Sequence, residues 1–116
     1  MRSIGIKSPI FNTNELPVGN KLSVDVRLPT QQQNPFWLGD LQVFITIPSA
    51  GINNLWIGQR LFQGQPLGTF RTQDFTLPAA VKTALASSRP DAQITLALNT
   101  GNCLAPVLID NVRVRN

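Results

Sequence analysis

The closing segment Pro106–Val114 contains one carboxylate, Asp110, whose position in a strand-like pattern could support metal chemistry. Period-2 alternation predicts that Asp110 lies on the same face as Leu108, Val112 and Val114, where a core is expected. A carboxylate on a core face must be hydrogen-bonded, paired with a cation or bound to a metal. The pattern therefore leaves two interpretations of Asp110: a metal ligand, or a carboxylate satisfied by backbone N–H groups or by an arginine.

Two tryptophans are the best candidates for ligand contact, since both fall in or beside segments that read as loops, Asn34–Gly39 and Asn53–Gly58. The flat face of Trp37 or Trp56 could stack against the axial C–H groups of a pyranose ring. Side chains with hydrogen-bonding chemistry suited to sugar hydroxyls flank Trp56, namely Asn53, Asn54, Gln59 and Arg60. In the alternative interpretation, each tryptophan closes an open end of a sandwich core and touches no ligand.

Catalysis is not expected, because the chain contains no histidine and the Ser-His-Asp and Cys-His arrangements are therefore impossible. The acidic residues are spread along the chain with no spacing that suggests a carboxylate pair. The single cysteine, Cys103, excludes an intrachain disulfide and a zinc site built from several cysteines. We therefore expect a protein that is not an enzyme.

The composition is typical of one extracellular, β-rich domain spanning residues 1–116. Charged residues make up only 14% of the chain, and Asn, Gln, Thr and Ser supply most of its polarity. The net charge of +4 is scattered, with no basic patch interleaved with aromatic residues, so nucleic-acid binding is not predicted. No apolar stretch approaches membrane-spanning length, and the first residues do not resemble a signal peptide. We interpret the domain as a module from a larger secreted protein.

Alternating apolar and polar residues predict most of the strands. The predicted strands are Arg2–Ile6, Lys21–Leu28, Leu41–Ile47, Thr69–Leu77, Gln93–Asn99 and Pro106–Val114. A further segment, Asn53–Phe62, is expected to begin as a loop and enter a strand near Trp56. The alternation slips between Phe70 and Phe75, which predicts a β-bulge there.

Only Pro78–Ala86 has helical spacing, in Val81, Ala84 and Leu85 after an initial proline. Short strands with Pro- and Gly-rich connections indicate an all-β fold: a two-layer antiparallel β-sandwich with one short helical turn.

A second possible binding surface is the outward face of a sheet. The residues that project away from the apolar face of their strands are Asp25, Arg27, Gln42, Phe44, Thr46, Gln93, Thr95 and Asn99. If these strands are neighbours, the side chains form a polar surface with one aromatic ring, suited to a glycan or a protein. The alternative is an ordinary solvated sheet face with cross-strand pairs.

The segments KLSVDVRL, LQVFITIP, LGTFRTQDFTLP, ITLALN and VLIDNVRV follow in an order that resembles the jelly-roll sandwiches of the galactose-binding-like group. That group includes many carbohydrate-binding modules appended to secreted bacterial enzymes or surface proteins. The resemblance implies a structural Ca²⁺ held partly by the closing-strand carboxylate, which is Asp110 here. Since other ligands come from the start of the domain in that group, Glu15 is the candidate partner, and calcium prefers six to eight oxygens.

The resemblance and the loop aromatics together favour a non-catalytic accessory module that binds a polysaccharide or oligosaccharide outside the cell. The alternative is a structural or protein-interaction β-sandwich without a small-molecule ligand, which contacts neighbouring domains of a longer chain. The exposure of the tryptophans is the feature expected to discriminate between the two.

Overall fold

A computed structural model describes residues 2–13, 19–28, 39–62, 64–65, 67–100 and 108–115. Seven strands and one α-helix succeed one another along these residues. In chain order they are β1 (Arg2–Lys7), β2 (Lys21–Arg27), β3 (Asp40–Ile47), β4 (Ile52–Leu61), β5 (Phe70–Thr76), α1 (Ala79–Ala86), β6 (Gln93–Thr100) and β7 (Leu108–Arg115). A short 3₁₀ turn, Pro48–Ala50, connects β3 to β4.

The strands form two antiparallel sheets packed face to face, which confirms the predicted all-β two-layer sandwich. The four-stranded sheet has the order β1-β6-β3-β4, and the three-stranded sheet has the order β5-β2-β7. Strands that are neighbours in a sheet are mostly far apart in sequence, so the sheets depend on long-range pairing. This pairing decides which of the alternating polar side chains share a surface.

The core lies between the sheets, and the inward residues that the alternation predicts for β2, β3 and β6 all belong to it. Leu22, Leu41 and Val43 are completely buried, and the inward residues of β6 are nearly so. Complete burial of a leucine or valine side chain contributes about 1.5–3 kcal/mol relative to its exposure, so these strands stabilise the fold mainly through this face.

Helix α1 agrees with the prediction for Pro78–Ala86, since it begins after Pro78 and buries Val81, Ala84 and Leu85. Proline suits the start of a helix because its missing N–H would have no intrahelical partner there. The helix leads into a loop that is held against the N-terminal segment, where the buried Thr13 hydroxyl donates to the Ser87 carbonyl at 2.6 Å.

The β-bulge predicted between Phe70 and Phe75 is wrong. Strand β5 pairs with β2 without a register shift from Phe70 to Thr76. Phe70 points outward and is 48% exposed, whereas Phe75 points inward and is 1% exposed. The two aromatic rings therefore serve opposite faces of a regular strand, and the apparent slip came from counting both as core residues.

Candidate functional site

The outward side of the four-stranded sheet carries the candidate site, and we call this surface the outer face. Cross-strand pairing aligns Lys7 with Thr95, Thr95 with Phe44, and Phe44 with Trp56, in one row that crosses all four strands. The adjacent row consists of Gly5, Ala97, Gln42 and Gln59. The face therefore combines aromatic rings, amide groups and a cation on rigid strands.

Trp56 is the most prominent aromatic side chain described on this face, with 53% of its surface exposed. Its indole N–H donates to Gln42 Oε1 across the strand pair at 3.1 Å, which orients the ring. Trp56 lies within β4, and β4 already begins at Ile52, so the expectation that the segment starts as a loop at Asn53 is wrong. A ring held on a strand is better positioned for stacking than one on a loop, since its backbone is fixed by the sheet.

A β-bulge in β4 explains why Trp56 faces solvent. Val43 pairs with Gly58 and Phe44 pairs with Trp56, so Ile57 is an extra residue without a direct partner on β3. The extra residue lets Ile57 point into the core, where it is 9% exposed, while Trp56 points outward.

Two of the predicted polar residues border Trp56 on the outer face. Gln59 donates through Nε2 to Asp40, which also accepts a 2.7 Å hydrogen bond from Asn99 Nδ2. Asn54 adopts the left-handed conformation (φ 49°), and its backbone N–H donates to Thr46 Oγ1 at 2.9 Å. Asn54 keeps an exposed side chain at this end of β4, whereas Gln59 is engaged with Asp40.

Arg60 and Asn53 contribute differently from the prediction. Arg60 pairs with the core residue Leu41, and its guanidinium lies 5.2 Å from the centre of the Phe75 ring. It therefore covers the edge of the core, at an inward position of β4, whereas Trp56 points outward, and its role in ligand binding stays a prediction. Asn53 is exposed beside Asn54, in a second irregularity of the β3–β4 pairing.

Two predicted site residues, Trp37 and Glu15, lie outside the described residues, as does Cys103. The roles of Trp37 in stacking against a ligand and of Glu15 in binding calcium therefore stay predictions. The described part of the site is thus built from β1, β6, β3 and β4 alone.

The prediction that Asp110 lies on the core face is wrong. Asp110 is exposed and pairs with Asp25 on the outward side of the three-stranded sheet, while Ile109 pairs with the inward Val26. A bulge at Asn111 and the following residue reverses the alternation, and Asn111 has a φ of 56°. Asp110 Oδ1 accepts the Asn111 backbone N–H at 2.8 Å, the backbone alternative that the sequence left open.

Asp25 and Arg27 do not join the outer face, because β2 belongs to the three-stranded sheet. There, the hydrogen bond from Thr72 and the nearby Arg113 lower the pKa of Asp25. In the same sheet, the hydrogen bond from Ser23 lowers the pKa of Asp74. These carboxylates hold β2, β5 and β7 together, so their surroundings account for them without a ligand.

Asp74 is the centre of this polar network. Arg115 donates through Nη2 to Asp74 at 3.0 Å, and Arg115 Nε donates to the completely buried Ser23 hydroxyl at 2.8 Å. Lys21 Nζ lies 3.8 Å from the same carboxylate. The closing strand β7 is thereby fastened to β2 and β5 through charge-assisted bonds.

Sequence reasoning missed three residues of the outer face: Lys7, Gly5 and Ala97. They occupy outward positions of β1 and β6 beside Thr95 and Gln42. Alternation within Arg2–Lys7 could have shown which residues of β1 share a face. It could not have shown that β1 lies beside β6, which is what brings these residues onto the outer face.

One further concave feature lies at an open edge of the sandwich, between β1 and β6 of one sheet and β7 of the other. It is an apolar cleft of about 290 Å³, and we call it the edge cleft. Its apolar walls are Ile6, Ile94, Leu96, Ile109 and Val112. Ile6 is 44% exposed and Val112 is 40% exposed, so this part of the inward surface is not covered by described residues.

Within the described ranges, no three side chains of the His, Cys, Asp or Glu types gather as a metal-binding group. No helix among the described residues is long and apolar enough to span a membrane. The architecture and the outer face thus define an all-β, two-sheet domain with an exposed aromatic surface. Comparisons of this chain with protein-family models, curated proteins and solved structures returned no match.

Proposed function

We propose that the domain is a non-catalytic carbohydrate-binding module that binds a polysaccharide or oligosaccharide on its outer face. The observation that carries the proposal is the exposed Trp56 ring beside Phe44, oriented by Gln42 on a rigid strand pair. An aromatic face binds the apolar C–H side of a pyranose, while neighbouring amides bind its hydroxyls. The proposal follows the galactose-binding-like resemblance and implies an accessory domain of a secreted bacterial protein.

The chemistry of the outer face supports a sugar better than an apolar ligand. The rings of Phe44 and Trp56 are surrounded by amide and hydroxyl side chains, those of Gln42, Thr46, Asn54, Gln93 and Thr95. Such groups exchange hydrogen bonds with water for hydrogen bonds with sugar hydroxyls at little net cost. We therefore expect shallow, weak binding in which aromatic stacking supplies most of the affinity.

The experiment is a titration of the folded domain with a panel of soluble polysaccharides and oligosaccharides, followed by tryptophan fluorescence and calorimetry. We expect saturable binding that Trp56→Ala reduces at least about tenfold, in line with removal of a central aromatic contact. Phe70→Ala is the matched control, because Phe70 is a similarly exposed aromatic residue on the outward side of the other sheet. A flat response across the panel, or equal losses in both variants, would overturn the proposal.

A second candidate function is a structural or protein-interaction domain, and the edge cleft is the observation that favours it. Strand β7 has no strand partner on its outer edge among the described residues. In the antiparallel register of two β7 edges that pairs residue 110 with residue 113, Asp110 of one copy would face Arg113 of the other, so this register matches opposite charges. Under this alternative the occupant is a second copy of the domain.

Analytical ultracentrifugation over a wide concentration range tests this alternative. Self-association that Val112→Lys abolishes and Leu61→Lys preserves would support it, since Leu61 is exposed but lies away from the cleft. A strictly monomeric domain would remove it.

Calcium binding at Asp110 is a proposal that comes from the resemblance alone. Its test is thermal unfolding of the wild type and Asp110→Asn in Ca²⁺ and in a chelator. A Ca²⁺-dependent rise in melting temperature that the substitution abolishes would support it, by the ordinary linkage of ligand binding to stability. Equal melting temperatures in Ca²⁺ and chelator would remove calcium from the account of this domain.

A further inference from the structure

The part of the outer face on β1 and β6 forms a shelf beside the aromatic rings. A side chain added at Gly5 would meet open space, since nothing lies within 4 Å of an ideal Cβ there. Its cross-strand neighbour Ala97 is also small, whereas the next strand carries Gln42 and Phe44. We call Gly5, Ala97 and Thr95, with Lys7 at the end of the row, the β1–β6 shelf.

Lys7 supplies charge to this shelf. Its side chain is exposed, and no carboxylate of the described residues lies within ion-pairing distance of its amine. The acidic residue described on the outward positions of the same sheet is Asp40, which is 6% exposed and bonded to two amides. A ligand lying on the shelf would therefore meet the charge of Lys7 with no competing exposed carboxylate among the described outward strand residues.

The geometry relates Lys7 to Trp56 across the sheet. Three interstrand steps separate the two residues in one row, which corresponds to about 14 Å between their backbones. A single sugar ring stacked on Trp56 does not reach that far, whereas an oligosaccharide laid across the strands does. The unit that reaches the shelf would lie beside the lysine.

We propose that the shelf selects an acidic glycan, with a carboxylate-bearing sugar unit at Lys7 and a second unit stacked on Trp56. This inference rests on the proposed carbohydrate function and names its substrate class. The ion pair is solvent-exposed, so it contributes a preference and not the bulk of the affinity.

The test uses polygalacturonate, alginate, glucuronoxylan and hyaluronan, each paired with its carboxyl-reduced, neutral counterpart. We expect at least one acidic form to bind about two- to fivefold more tightly than its neutral counterpart at low salt. Half-molar NaCl should remove that preference, because salt screens exposed charges. Lys7→Gln should remove it too, so that the acidic form and its neutral counterpart bind equally.

Lys82→Gln is the control for net charge, since Lys82 lies on α1 and away from the sheet face. Gly5→Val tests the shelf itself: its Cβ meets no neighbour, so the domain should fold, and the blocked shelf should lose the roughly two- to fivefold preference for the acidic glycans. An acidic preference that persists in Lys7→Gln, or no acidic preference in any pair, would overturn the inference. Neutral-glycan binding that depends on Trp56 would survive in either case, so failure of the inference is distinct from failure of the proposed function.

Discussion

Trp56 and Phe44 are direct cross-strand partners on the outward side of the four-stranded sheet. Ile57 is the extra residue of the bulge beside them, and it turns inward while Trp56 turns outward. If the regular register from Gln42 and Gln59 continued, Trp56 would point into the core and Ile57 into solvent. Because of the bulge, Ile57 packs in the core and the Trp56 ring is exposed to solvent.

Gln42→Ala should loosen the indole of Trp56 without unfolding the domain. The variant removes the 3.1 Å bond from the indole N–H, and Gln42 is a half-buried residue outside the core. We expect weaker glycan binding, by about two- to fivefold, with a change in stability within about 0.5 kcal/mol. Calorimetric titration and urea unfolding measure the two quantities; unchanged affinity would show that the bond does not orient the ring for binding.

Arg60→Ala should affect stability and not binding. The guanidinium lies over the Phe75 ring, and a partly exposed cation–π contact of this kind contributes about 0.5–1 kcal/mol. We expect a loss of that size in urea unfolding and unchanged affinity for glycans that bind the outer face. Arg71→Ala, an exposed arginine on β5, serves as the comparison. A large loss of affinity in Arg60→Ala would return this residue to the binding site.

Leu22→Ala should be strongly destabilising, since Leu22 is completely buried between the sheets. Truncating a buried leucine leaves a cavity and costs about 2–5 kcal/mol. Leu61→Ala is the matched substitution at a 60% exposed position and should change the free energy of unfolding by less than about 0.5 kcal/mol. Thermal and urea unfolding compare the two; similar losses would contradict the assignment of the core.

Gly19→Ala should destabilise the attachment of β7. A Cβ at Gly19 would lie 2.7 Å from the Arg115 carbonyl oxygen, a backbone atom that cannot move without shifting the strand. The expected cost is about 1–3 kcal/mol. Gly5→Ala is the control, because its Cβ meets open space and should leave the unfolding midpoint almost unchanged. Equal unfolding midpoints for Gly19→Ala and Gly5→Ala would show that β7 can shift to accommodate the added Cβ without loss of stability.

Stability should fall in acid as Asp25 and Asp74 become protonated. Hydrogen bonds from Thr72 and Ser23, respectively, hold the pKa values of these carboxyls below the ordinary value of 3.8. A depressed folded-state pKa gives stability that is present above about pH 4 and is lost as the pH falls through the folded pKa. The network to Arg113 and Arg115 weakens in the same range.

Urea unfolding between pH 7 and pH 2 measures this acid loss. Asp74→Asn should be less stable than the wild type at pH 7 and should show a smaller further loss in acid. The double variant Asp25→Asn/Asp74→Asn should show a smaller acid loss still. An acid dependence identical to that of the wild type in the double variant would place the sensitive groups elsewhere, with Asp91 as the next carboxyl whose pKa is lowered.

Alternation of side chains along the sequence was enough to identify most strands and the inward faces of β2 and β3. The patterns of Lys21–Leu28 and Leu41–Ile47 predicted strands whose inward residues are those found in the core. Burial on one face selects apolar residues at every second position, so this information is local and can be read directly. The short helix after Pro78 was predictable from equally local information, the helical spacing of Val81, Ala84 and Leu85.

The tertiary structure decided which outward residues share a surface. Nothing local in the sequence places Lys7 beside Thr95, or removes Asp25 from the face that carries Phe44, because strand order depends on long-range pairing. Bulges are equally non-local. The bulge at Ile57 reverses the side-chain alternation of β4, and the bulge at Asn111 reverses that of β7, which places Asp110 outward, against the sequence expectation. A one-residue shift of register exchanges the two faces of a strand, so small irregularities outweigh the pattern where function is concerned.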